Sequence, residues 1–146
     1  MKKPWILGLI IIVIVLAILC WMKLIPPLDP NQVMHNTLAG VTEVRVINVV
    51  SLEKERIIRL SGDNAQTFVN HLQVEAGSMI PSMPEYIFTF HKGKKQVATI
   101  TLTNNYGDIS WNSDVRLNPM RLTPYSLAYI KRILKANGMK FNEETR

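Results

Sequence analysis

The sequence predicts an α+β domain carried behind a single N-terminal transmembrane helix, with a small antiparallel sheet packed against two helices. Three observations lead to that expectation. Trp5 to Met22 is an uncharged 18-residue apolar run, close to the length a helix needs to cross a bilayer's hydrocarbon core. Several later segments alternate, or are dominated by β-branched and aromatic residues, as half-buried strands are. Two others repeat apolar residues three and four positions apart between cap and stop residues.

The flanks of the apolar run fit a retained anchor. Trp5 and Trp21 stand where indole rings favour the water–lipid interface, and Lys23 can snorkel outward. A cleaved signal has a shorter apolar core and small residues at its cleavage site, whereas here Leu19, Trp21 and Met22 are bulky. Ala17-Ile18-Leu19-Cys20 departs from a lipidation pattern because Leu precedes the cysteine, so Cys20 reads as a small apolar thiol in a helix. As the only cysteine, it excludes an intramolecular disulfide framework. Lys2 and Lys3 favour a cytoplasmic N-terminus, with everything after Lys23 translocated across the inner membrane of a bacterial cell.

The expected organisation is an anchor with a short cytoplasmic stub over 1–23, a Pro-rich stalk over 24–32 and an extracytoplasmic α+β domain over 33–146. Pro26, Pro27 and Pro30 stop the first helix and stiffen the stalk. Val41 to Val50 and the KERIIRL segment after the polar break at Ser51 to Glu53 read as two strands of a hairpin. Asp63 then takes a capping position, and Ala65, Phe68, Val69, Leu72 and Ala76 predict a helix that Gly77 ends. Tyr86, Phe88 and Phe90 alternate with smaller or polar residues, and Lys92-Gly93-Lys94 turns the chain into QVATITLT. ISWNSDVRLN continues a meander of three or four strands. Thr123-Pro124 starts a last helix whose apolar face is Leu127, Ile130, Ile133 and Leu134, and Asn137-Gly138 stops it.

Motifs that carry chemistry are scarce. His35, His71 and His91 fall in different elements with no short ligand spacing, so no metal and no other cofactor is expected. Asp108, Ser110, Asn112 and Asp114 resemble the start of a calcium loop, but Ser113 replaces the glycine and Pro119 the bidentate carboxylate. The same spacing puts these four on the wet face of a strand, with Ile109 and Trp111 facing the core. No GxSxG, SxxK, glycine-rich phosphate loop or dinucleotide fingerprint occurs. Glu53 with Glu55, or Glu85 with Asp108, are the carboxylate pairs that folding would have to bring together.

Charge is mild: the part after Lys23 holds 14 basic and 11 acidic residues. Lys92, Lys94 and Lys95 cluster at one turn, and Lys131, Arg132 and Lys135 line the last helix, so these six are the candidates for contact with an anionic surface. Few aromatics accompany them and the expected topology is extracytoplasmic, which argues against nucleic acid. The expectation is a non-enzymatic protein-interaction domain at a bacterial envelope, a partner, regulator, or inhibitor or immunity component. A module for wall polymer or anionic lipid is the first alternative, and a small envelope hydrolase the second.

Overall fold

The computed structural model describes residues 4–24, 29–50, 57–77, 83–112 and 118–141, and within the first helix the side chains of 8 and 10–21. The fold is α+β. Four helices, α1 (Pro4–Leu24), α2 (Pro30–Leu38), α3 (Asp63–Asn70) and α4 (Pro124–Ala136), accompany seven strands. These are β1 (Glu43–Asn48), β2 (Ile58–Ser61), β3 (Val74–Ala76), β4 (Tyr86–Lys92), β5 (Lys95–Leu102), β6 (Gly107–Trp111) and β7 (Met120–Leu122). They form one sheet in the order β2-β1-β4-β5-β6-β7-β3, and every pairing between neighbours is antiparallel.

Alternation decides which face is covered. Val46, Phe88, Ile100, Ile109 and Met120 lie in one cross-strand row, and all belong to the buried core. Met34 and Leu38 of α2, Ala65, Phe68 and Val69 of α3, and Ile130 and Leu134 of α4 close over that face in the same cluster. Phe68 is central: its ring stacks on Phe88 at 5.7 Å and contacts Phe90 at 6.1 Å and Tyr129 at 5.9 Å. The expected core residues Phe68, Leu72, Phe88, Ile130 and Leu134 are all at most 1% exposed. Trp111 is only half-buried, because its indole N–H reaches out 3.3 Å to the Asn118 carbonyl.

Local chemistry explains the element ends. Thr123 accepts from the Ser126 N–H and Pro124 opens α4, as expected. At the other end, Met139 N–H bonds the Leu134 carbonyl and Gly138 N–H that of Lys135, a Schellman stop that uses the positive φ of Gly138 (74°). The β1–β2 pair is antiparallel as a hairpin requires, although its 51–56 connection, including Glu53 and Glu55, lies outside the described residues.

Several expectations are corrected. Three helices cover the sheet rather than two, since residues 30–32, read as stalk, open α2 under an Asp29 cap that accepts from the Asn31 N–H. The helix expected to run to Gly77 ends at Asn70. Beyond it Val74–Ala76 pairs with β7, the Asn31 side chain accepts from the Val74 N–H at 2.7 Å, and Ser126 bonds both backbone groups of Gln73. Those partners, distant in sequence, override the helical spacing of Leu72 and Ala76. Asp63 is the first helical residue, not its cap, which is Gly62. Asp108 does lie on the uncovered face but is only 5% exposed, in a row between Thr101 and Arg121. Asp114 is outside the described residues.

The membrane span is not established by the fold: among the described residues, no helix is long and apolar enough to cross a membrane.

Candidate functional site

Among the described residues, side chains with chemistry gather on the open sheet face and in a groove beside α4. The first is the sheet face opposite the helices, where β1, β4, β5 and β6 present Arg45, Thr89, Thr99 and Ser110 in one row. A second row sets Ile47, Ile87 and Thr101 beside Asp108, Arg121 and Glu75. The charges on this face pair internally. Arg45 Nε donates to Glu43 Oε1 at 2.9 Å and its Nη2 to Oε2 at 3.0 Å, and Arg121 Nε donates to Glu75 Oε1 at 2.8 Å. The Arg45 hydrogen bond holds the Glu43 carboxyl below its ordinary range.

His91 sits at the end of this face, its Nε2 3.0 Å from Thr89 Oγ1, where a bulge between Phe90 and His91 shifts the pairing with β5. Burial lowers its pKa, with Arg45 adding to the shift and Glu43 opposing it. The folded state therefore binds fewer protons at His91 than the unfolded chain does. Its contribution to stability is intact above the unfolded value, about 6.5, and is lost as pH falls through the folded value. Urea melts of the full chain in detergent between pH 7.5 and 5 should show falling stability, with a shallower fall in His91→Gln. An unchanged slope would remove His91 as the cause; the Glu43 shift acts at lower pH.

The second surface is a groove of about 450 Å³ between the end of α3 and α4, lined by His71, Tyr125, Tyr129, Arg132, Ile133 and Ala136. Tyr125, Tyr129 and Arg132 share one helix face because they are spaced four and three apart. His71, the C-terminal cap of α3, stacks on Tyr129 at 4.7 Å with the ring planes 11° apart. Its Nδ1 lies 2.8 Å from the Thr67 carbonyl. A carbonyl only accepts, so Nδ1 carries a proton. Burial raises the Tyr129 pKa, leaving its phenol a hydrogen-bond donor at neutral pH.

The six basic candidates are divided between distant places. Lys94 and Lys95 are exposed and Lys92 half-buried at the β4–β5 hairpin. Lys131 Nζ donates to Asn104 Oδ1 at 3.0 Å in the turn that follows β5, and lies 5.2 Å from the centre of the Phe141 ring. The length of β5, roughly 25 Å at about 3.3 Å per residue, separates that lysine from the hairpin. Arg132 joins the groove, and Lys135 is exposed in the last turn of α4. Trp21 is 74% exposed on α1, while the side chains of Trp5 and Lys23 lie outside the described residues. Glu85 and Asp108 belong to opposite sides of β5, so the strands do not set them side by side.

Among the described residues no cluster of three or more His, Cys, Asp or Glu is arranged to hold a metal ion. Sequence reasoning singled out Arg132 but missed the rest of the groove. The Tyr125-Tyr129-Arg132 stripe was readable from helical spacing, whereas His71 arrives from a separate element. No family model matches the chain, and no curated protein or solved structure matches it either.

Proposed function

We propose that the chain is a single-pass membrane protein whose α+β domain stands outside the cytoplasm and binds another envelope protein as a non-catalytic partner, regulator or inhibitor. The observation that carries the membrane part is the surface of α1. Ile10 to Leu16, consecutive residues that turn through more than one and a half helical turns, are each 48–60% exposed. None of them belongs to the core cluster. Apolar side chains on every side of a helix suit hydrocarbon, and each one kept in water forgoes about 1.5–3 kcal/mol of burial. With Lys2 and Lys3 ahead of this helix, the positive-inside bias places the domain across the membrane.

The binding part rests on the two surfaces above. A groove rich in Tyr and Arg offers the residue types that protein interfaces favour, and the sheet face that no described helix covers adds a second, partly exposed surface. Crosslinking the tagged full chain in living cells, followed by detergent extraction, tests this. The expected product is a stoichiometric adduct with one envelope protein. Recovery of the chain alone at every crosslinker length would contradict it.

A further inference from the structure

We infer that the groove between α3 and α4 receives an acidic segment of the partner protein, its carboxylates meeting Arg132 and the tyrosine hydroxyls while its apolar atoms lie on Tyr129 and Ile133. This rests on the partner-binding reading above and names the chemistry of that partner.

Charge is the first argument. From Pro124 to Asn142 the chain contains no Asp or Glu and four basic residues, Lys131, Arg132, Lys135 and Lys140. Lys131 is tied to Asn104, so Arg132 on the groove wall and Lys135 on the next turn set its sign. Among the described residues, the neighbouring acids do not offset them. Glu75 is bonded to Arg121, and Asp63 lies at the opposite end of α3, roughly 12 Å along its axis. A positive groove with low-entropy aromatic walls attracts and orients carboxylates.

Shape is the second. The groove is open to solvent rather than enclosed, which suits a segment of a partner's surface better than a small molecule. Part of its wall is already fixed: Tyr129 is held between Phe68 at 5.9 Å and His71 at 4.7 Å, and His71 is in turn fixed by Thr67. Little side-chain entropy remains to be lost there on binding. The second ring nitrogen of His71, Nε2, adds a polar point for the same segment. Tyr125, also on the lining, is 49% exposed. Tyrosine and arginine in such a pocket are the residue types that most often dominate binding energy.

A photo-crosslinking amino acid placed at Tyr125, and separately at Thr89 on the open sheet face, tests the inference in the full chain in its native membrane, with the captured peptides sequenced by mass spectrometry. The expected result is a Tyr125 adduct with a protein segment of net negative charge. Arg132→Glu should lower its yield at least about tenfold and Arg132→Gln by less, while Asn64→Glu, at the far end of α3, leaves it unchanged. Melting curves confirm that each variant is folded. A lipid adduct, a neutral or basic captured segment, or an Arg132→Glu yield equal to wild type would overturn the inference. Capture at Thr89 with none at Tyr125 would leave the partner reading standing and remove the groove, and capture at neither position would remove both.

Discussion

Phe88→Ala is expected to lower the unfolding free energy of the domain by about 3–5 kcal/mol, the range for truncating a buried aromatic side chain. Phe88 is fully buried in the middle of the sheet, flanked by Val46 on β1 and Ile100 on β5. Its ring stacks on Phe68 of α3, so the cavity would open where helix and sheet meet, in a close-packed interior that relaxes only in part. Trp111→Ala, although it removes a larger side chain, should cost less, because that indole is half-buried and its N–H bonds a surface carbonyl. Urea titration of the full chain in detergent orders the two. A larger loss in the tryptophan variant would show that β6, and not the Phe68–Phe88 contact, anchors the core. The double variant Phe68→Ala/Phe88→Ala should cost less than the sum of its parts, since each change empties part of the same space.

Ser126→Ala should cost about 1–3 kcal/mol, the penalty for stranding a polar group that loses its partner. Ser126 is fully buried in the first turn of α4, and its hydroxyl donates to the Gln73 carbonyl at 2.9 Å while accepting from the Gln73 N–H. The carbonyl keeps a second partner in the Thr123 N–H, so the N–H is the group left without one. This residue ties the short edge strand β3 to the helix, and its loss should be felt locally. Amide exchange at Val74 to Ala76 is expected to accelerate more than exchange in β4 or β5. Uniform acceleration across the sheet would mean that the hydroxyl supports the global fold rather than the edge.

How far the fold could be read from the sequence follows from the range of the interactions that set each element. β4 and α4 were legible because their determinants are local: the Tyr86, Phe88 and Phe90 alternation, the Thr123-Pro124 start and the Asn137-Gly138 stop act within a few residues. The end of α3 was not, because the helical spacing of Leu72 and Ala76 competes with bonds to Asn31, Ser126 and β7, residues that lie more than 40 positions away. The α2 helix was obscured by composition. Its Asp29-Pro30 start is a local signal, yet three prolines in eight residues read as a stalk. Asp108 was placed on the correct face with the wrong exposure, since only the β6–β7 register reveals that Arg121 stands opposite it. The candidate site was legible only in part for the same reason. Spacing unites Tyr125, Tyr129 and Arg132, but tertiary packing alone adds His71.

In the proposed topology α1 anchors the chain and leaves the folded domain outside the cytoplasm. Protease treatment of intact spheroplasts, with a C-terminal tag and a cytoplasmic control protein followed together, tests it most directly. The expected result is a membrane-bound, full-length chain whose tag and domain are digested while the control survives. A chain that remains in the soluble fraction, or a domain that resists digestion until the membrane is dissolved, would contradict it.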